Sequence, residues 1–382
     1  MRVYLDHAAT TPLCSEARAA MEPWLGSEFG NPSSLYEEGR RAKAAIDEAR
    51  ETLAGRLGCL FGEIVFTSSG TEAANLAILG AALAHVDGPR RRVLFGAAEH
   101  HCVLHCEPLL ARLGFRVELV PVDRQARTDL DALERSMGPD VLLGSFMHAN
   151  NEWGTLQDVE AIGSILQRHG ALYLLDAVQT LGSSEFGPRL DTLPVDLIAV
   201  SAHKVGGPKG VGALAVRSGI PIRPLIVGGG QEREVRGGTE NVAAIIGFAA
   251  AVKAIREDDD SFKRAARDRF LGGVGSGFVP SADYTESDTL AGHAHGRFPG
   301  LNAESILIVL DRLGVSASSG AACSSGSLEP SHVALSCGWS PAEAAEALRF
   351  TFGHQTTLEE AIWAAERVLR AAEQVASART IA

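Results

Sequence analysis

Apolar positions along the chain follow two spacings, and each predicts a different element. From Gly39 to Gly58, Ala42, Ala45, Ile46, Ala49, Leu53 and Leu57 recur at the three-and-four interval of an amphipathic helix, with Gly58 placed as a left-handed cap. The short run Ile64-Val65-Phe66 then leads through Thr67-Ser68-Ser69-Gly70-Thr71-Glu72 into an Ala/Leu-rich stretch ending near Val86, the strand, turn, helix order of an α/β unit. Further candidate strands at Val93 to Phe95, Phe115 to Val120, Val141 to Met147, Leu172 to Leu175, Leu197 to Val200 and Gly212 to Val216 alternate with helical stretches at most of the joins. Near-continuous apolar strands of this kind predict a mostly parallel sheet covered on both faces. The apolar run Val242 to Val252 is far short of the roughly 20 residues that cross a bilayer, and predicts a buried helix.

Near residue 256 the texture changes, with the acidic run Glu257 to Asp260 and the Gly-rich Gly272 to Gly277. Helical patterns at Ala303 to Leu313, Pro341 to Leu348 and Leu358 to Ala376, mixed with short strands, predict a smaller α+β domain. The expected division is a large domain over 13–255 and a small one made of 1–12 and 256–382.

Composition narrows the function classes. A chain of 382 residues with 46% apolar and 21% charged residues is long enough for more than one packed domain and is unlike disordered, collagenous or coiled-coil sequence. The formal net charge of −12 opposes unaided binding to nucleic acid or to an anionic membrane, so a small-molecule substrate and protein partners are expected. The first residues, Met1-Arg2-Val3-Tyr4-Leu5-Asp6-His7, lack the apolar core of an export signal, and a cytoplasmic location is expected. Six cysteines are too sparse for a disulfide framework, so any important thiol is important for its chemistry.

The sharpest chemical signal is the strand Asp196 to Val200 ending in Ser201-Ala202-His203-Lys204. A lysine just beyond a strand end lies at the carboxyl edge of the sheet, where open α/β folds bind ligands, and Lys204 is a Schiff-base candidate. Pyridoxal phosphate (PLP) asks for such a lysine, an acid facing the ring nitrogen, a phosphate cup and a flat group on the ring. Asp176 ends the strand Leu172 to Leu175; Ser69-Gly70-Thr71 opens a helix whose N–H groups suit a phosphate; Ser201 and His203 add donors; His100 follows the strand Val93 to Phe95. Alone, each has a plainer reading: a surface lysine, a helix cap, a good helix start.

Together these residues resemble the cysteine desulfurases of the NifS/IscS type, PLP enzymes of the class V aminotransferase fold. The resemblance runs from about Tyr4 to Thr357. It is carried by Tyr4-Leu5-Asp6-His7-Ala8-Ala9-Thr10-Thr11-Pro12, Gly30-Asn31-Pro32-Ser33-Ser34, Phe66 to Glu72, Glu99-His100, Asn150-Asn151-Glu152-Trp153-Gly154, Asp176-Ala177-Val178-Gln179, Ser201 to Lys204 and Arg236-Gly237-Gly238-Thr239-Glu240-Asn241. It implies a fold-type-I PLP transferase, with a mostly parallel seven-stranded sheet in the large domain. It further implies that Lys204 binds PLP, Asp176 faces the ring nitrogen, Gln179 bonds the ring hydroxyl and His100 stacks on the ring. Gly70, Thr71, Ser201 and His203 hold the phosphate, with Thr239 reaching in from a second subunit, so a homodimer is implied.

A second feature is legible without the family. Ser316 to Ser327 contains only small residues around Cys323, which predicts a mobile arm, 316–328, able to carry a thiol to and from a pocket. In the NifS/IscS type the matching loop bears the sulfur-accepting thiol. Arg349 precedes Phe350-Thr351-Phe352 and is expected to begin a strand; its planar fork suits an α-carboxylate, and the resemblance places the substrate-carboxylate arginine here, with Asn150 its companion. The sequence His100-His101-Cys102-Val103-Leu104-His105-Cys106 lacks a second ligand pair at zinc spacing, so no metal is expected, and Arg90-Arg91-Arg92 reads as a solvated turn.

The chemistry expected is conversion of L-cysteine to L-alanine. Lys204 moves the α-proton, and the thiolate of Cys323, with His100 as proton partner, takes the substrate sulfur as a persulfide for a protein acceptor. That acceptor belongs to iron–sulfur assembly, tRNA thiolation, DNA sulfur modification or cofactor synthesis. A selenocysteine lyase and an aminotransferase of the same fold are the enzymatic alternatives, and a non-catalytic carrier scaffold is the other. Tyr36, Trp153 and Ala322 depart from the usual motifs, and Trp153 puts the width of the substrate pocket in question.

Overall fold

Among the described residues there are twelve short strands: β1 (Val3–Tyr4), β2 (Ile64–Thr67), β3 (Arg92–Gly96), β4 (Arg116–Val120), β5 (Val141–Ser145), β6 (Leu172–Asp176), β7 (Leu197–Ser201), β8 (Gly212–Val216), β9 (Val279–Pro280), β10 (His293–Arg297), β11 (Val315–Ser316) and β12 (Ala347–Thr351). The structure, a computed structural model, describes residues 1–284, 288–320 and 330–381, with side chains to residue 378. Cys323 lies outside the described residues, as does most of the predicted arm.

Seven strands form one sheet in the order β2-β8-β7-β6-β5-β3-β4. The pairs β3/β4, β3/β5, β5/β6 and β6/β7 are parallel, and β8 runs antiparallel to both β2 and β7. Because side chains alternate across a strand, each strand feeds two cores. Ile64, Phe66, Leu94, Ile198 and Val200 pack on one face with residues of the helices Glu37–Leu57, Val159–Arg168 and Val242–Lys253. Val65, Val93, Phe95, Leu197 and Ala199 pack on the other with the helix Gly70–Ala84. Gly58 ends its helix at φ 57°, ψ 44°, a conformation that glycine adopts without penalty.

A third apolar cluster gathers Val3, Leu5, Phe270, Phe298, Ile306, Leu348, Phe350 and Val368. Around it β12, β10 and β9 form an antiparallel sheet, and β1 pairs in parallel with β11. The N-terminal strand therefore packs with the C-terminal part of the chain: Thr351 N donates to Leu5 O at 2.8 Å.

Two local expectations are corrected. The helix read over Pro341 to Leu348 stops at Ala344, and Ala347–Thr351 is a buried strand whose five residues pair with His293–Arg297. Strand pairing and burial on both faces outweigh helix propensity there, and Arg349 sits mid-strand rather than at its start. The run Arg90 to Arg92 is not a solvated turn. Arg90 donates to Val141 O (2.9 Å) and Gly170 O (2.6 Å), and Arg92 pairs with Asp140 (2.8 Å) and Glu118 (3.0 Å), fastening the amino edge of the sheet.

Candidate active site

The carboxyl ends of β2, β3, β5, β6 and β7 converge on one edge of the sheet, and the candidate residues follow directly from them. Lys204 closes the short 3-10 turn Ala202–Lys204 that leaves β7. Its Nζ donates to Ala9 O at 2.9 Å and to Ala8 O, so the N-terminal motif holds the amine from the other side of a cleft of about 440 Å³. Gln179, Lys204, His293, Thr351 and His7 line that cleft.

Asp176 ends β6 and is buried. Burial raises its carboxyl to about 6, while the Val178 N–H at 3.0 Å and the Lys204 charge pull it down, so it is ionised at neutral pH. Gln179, in the turn after Asp176, donates from Nε2 to Ala8 O at 3.1 Å, a carbonyl that also accepts from Lys204 Nζ. His100 is the N-cap of the short helix after β3, its Nδ1 accepting from Cys102 N at 3.1 Å. Burial, then the Lys204 charge and the neighbouring imidazoles, pushes His100 down to about 4. The neutral ring therefore carries its proton on Nε2, which makes it a donor there.

Ser201 ends β7 with its Oγ buried and without a hydrogen-bond partner. Gly70 begins the helix Gly70–Ala84, and a Cβ placed on it would meet Val178 Cγ2 at 2.8 Å and Ser201 Cβ at 3.2 Å. The helix start thus lies against Ser201, a hydroxyl without partner beside free backbone donors and a positive helix end. That donor set fits the phosphate of PLP. Thr71 is exposed on the first turn of the same helix. His203 faces Thr10 Oγ1 at 3.2 Å and is driven down to about 4 by burial and by Lys204 and Lys209.

Arg349 is buried in β12, its guanidinium reaching Asp6 Oδ1 and Asn151 O, each at 2.8 Å, with Nε left unpartnered. Asn150 is fully buried and committed to its own turn: Nδ2 donates to Ala98 O, and Oδ1 accepts from the amides of Glu152 and Trp153. Direct contact with a substrate requires it to release one of these bonds. Trp153 does not narrow the cleft. It is fully buried, stacked on His295 with ring centroids 4.1 Å apart, in a cluster with Ala98, Val333 and Cys337. Thr239 is exposed and is not among the cleft residues.

Three groups at this edge were not singled out from the sequence. Glu99 is wholly buried with its carboxyl raised well above the usual range, first by burial and then by Asp176. It accepts from Met147 N and Ser145 Oγ. His293, from β10, is buried on the cleft wall and held well below its ordinary value by burial, then by Arg349, His295 and Lys204. Glu152, raised to about 7 chiefly by burial, accepts from Ser331 Oγ at 2.6 Å and lies against Gly320, one residue on each side of the segment that carries Cys323. The motif Glu99-His100 was visible, but no spacing signals that His293 joins residues nearly a hundred positions upstream.

The class V aminotransferase family profile matches residues 3–362. A cysteine desulfurase IscS from Dictyoglomus turgidum is 45% identical over 363 residues, 94% of this chain and 91% of its own. Among solved structures, a NifS-like protein superposes with a TM-score of 0.90 at 32% identity, covering 98% of this chain and 100% of its own. A structure described as SspA in complex with cysteine gives a TM-score of 0.82 at 31% identity, covering 92% and 99%.

Proposed function

The chain belongs to the class V aminotransferase family, among its cysteine desulfurases, and on that premise we propose that it converts L-cysteine to L-alanine while moving the sulfur to Cys323 as a persulfide. The observation that carries the reading is the convergence of Lys204, Asp176, Gln179, His100 and Ser201 on one sheet edge, where Lys204 and Gln179 also bond the N-terminal motif and line the cleft beside it.

The family depends on PLP, whose electron-withdrawing ring supplies the means of loosening bonds around the substrate α-carbon. The residues that would hold it are Lys204 at the aldehyde, Asp176 at the ring nitrogen, Gln179 at the ring hydroxyl and His100 on the ring face. Gly70, Thr71, Ser201 and His203 would take the phosphate, with Thr239 of a second copy. Lys204 Nζ then serves as the base for the α-proton, close enough to Asp176 for its charge to lower that carboxyl. Arg349 binds the α-carboxylate, with Asn150 shaping the turn beside it. The balance is one protein thiol and one L-cysteine giving one protein persulfide and one L-alanine.

A homodimer is supported by exposed Thr239 together with Val227, 80% exposed on the neighbouring segment, where Gly237 N donates to Ile226 O. The separate apolar cluster around Phe350, with Val3 and Leu5 inside it, supports two domains divided as 13–255 and 1–12 with 256–382. Among the described residues no helix is long and apolar enough to cross a membrane. We place the enzyme in the cytoplasm, passing sulfur to an iron–sulfur scaffold or a thiolation protein.

The test is incubation with PLP and L-cysteine, measuring L-alanine and protein-bound persulfide. Alanine with a persulfide on Cys323 is expected. An oxo acid with conversion of the cofactor to its amine form would instead identify an aminotransferase, and activity on selenocysteine alone, without need of Cys323, a selenocysteine lyase.

A substitution checks the carboxylate site. Arg349→Lys keeps the charge but loses the planar fork, and a charged hydrogen bond is worth about 2 kcal/mol. KM for L-cysteine should rise roughly thirtyfold with cofactor absorbance unchanged. An unaltered KM would remove Arg349 from substrate binding.

A further inference from the structure

Residues 230–234 form a turn of unusual hand: Gly230 has φ 77°, and three non-glycine residues follow at positive φ, Glu232 (45°), Arg233 (56°) and Glu234 (65°). Side-chain-bearing residues adopt this region at a cost, and a run of three persists only where surrounding contacts hold it. The holding contact is a buried ion pair. Arg50, from the helix Glu37–Leu57, grips Glu232 with both terminal nitrogens, at 2.7 and 2.6 Å, and both side chains are almost wholly buried. The same Glu232 carboxylate accepts from Phe66 N at 2.9 Å, and Arg50 donates to Ile64 O at 2.7 Å. Both backbone groups belong to β2, the strand that delivers Ser69-Gly70-Thr71.

Beyond the turn the chain is fastened twice more. Gly238 N donates to Gln231 Oε1 at 2.9 Å, and Arg236 pairs with Glu72 at 2.9 Å, where Glu72 stands in the first turn of the phosphate helix and also accepts from Ser68 N at 2.7 Å. Asn241 then caps the next helix through Ala244 N. Thr239 lies between these anchors with its side chain exposed. The segment that bears it is therefore an extension of this chain's own phosphate turn.

We infer that Arg50 and Glu232 are positioning residues for Thr239: their buried grip fixes the left-handed turn that sends Thr239 outward to the cofactor phosphate of a second copy. This rests on the reading of Thr239 given above. A rigid root reduces the ordering cost at binding, so the contribution should appear in phosphate recognition and not in recognition of the ring.

The test uses the full-length chain, stripped of cofactor and titrated by absorbance with PLP and with pyridoxal, which lacks the phosphate. Arg50→Lys keeps the buried charge but loses the two-point grip, and Glu232→Gln keeps the shape but loses the charge. Each should weaken PLP about tenfold with less than a twofold change for pyridoxal, as Thr239→Ala should, and Arg50→Lys combined with Thr239→Ala should weaken PLP no further. Equal weakening of PLP and pyridoxal would overturn the inference, as would unchanged PLP affinity in both clasp variants while Thr239→Ala loses it. If Thr239→Ala keeps full PLP affinity, the reading of Thr239 itself falls and takes the inference with it. Should Glu232→Gln fail to fold, Arg50→Lys decides.

Discussion

Lys204→Ala should yield a folded protein that no longer holds its cofactor covalently and turns over L-cysteine roughly a thousandfold more slowly, the scale lost with a positioned general base. Folding should survive because the turn is set by its backbone: Val205 N and Gly207 N both donate to Ala202 O, at 3.0 and 2.9 Å. What disappears is an amine that sits between the N-terminal motif and the ends of β6 and β7. Its charge now lowers Asp176 and helps to hold His100, His203 and His293 neutral, so its removal should also let those imidazoles titrate higher. Absorbance of the purified variant with added PLP and alanine release from L-cysteine are the two readouts. A normal bound-cofactor band with normal turnover would move the anchoring lysine elsewhere in the chain.

Cys323→Ser should keep the cofactor band and the affinity for L-cysteine but abolish persulfide and alanine formation, and three of the described thiols are unsuited to replace it. Burial pushes Cys59 and Cys337 up to about 12 and Cys106 up to about 11, which leaves almost no thiolate at neutral pH. Cys14 needs a control, since it lines the cleft with Lys204 while its Sγ accepts from Ala17 N at 3.4 Å. Cys14→Ser should leave persulfide formation intact. Turnover surviving in Cys323→Ser and lost in Cys14→Ser would transfer the nucleophile's role to the N-terminal helix cap. The attachment points of the Cys323 segment bear on the choice: Ser318 exchanges backbone hydrogen bonds with Arg349, at 2.6 and 3.2 Å, and Ser331 is bonded to Glu152 beside Gly320. The chain enters and leaves that segment next to the proposed carboxylate site.

Much of the site was legible because its parts are local. A lysine three residues past a strand end, an acid at the end of the strand before it and a small-residue turn opening a helix are each fixed by a few consecutive residues, and β6, β7 and the helix Gly70–Ala84 deliver them as read. Pro341 to Leu348 misled because its local pattern suits a helix, while the pairing partner that makes 347–351 a strand lies some fifty residues upstream. Trp153 misled in the same way. Its place in the Asn150 turn put the pocket width in question, yet His295 and Trp339 from distant segments provide the aromatic pocket that draws it inward.

The amino-acid order by itself determined the parallel α/β core, the cofactor-binding motifs and the family they carry, since strand periodicity and turn chemistry act over a handful of neighbouring residues. Only the tertiary structure decided which groups share one electrostatic environment. Lys204 meets the carbonyls of Ala8 and Ala9, Arg349 meets Asp6, Asp176 raises the buried Glu99 carboxyl, and Glu232 locks to Arg50 across 182 positions. Burial and charge proximity depend on how remote segments are brought together in space, and no local pattern encodes them.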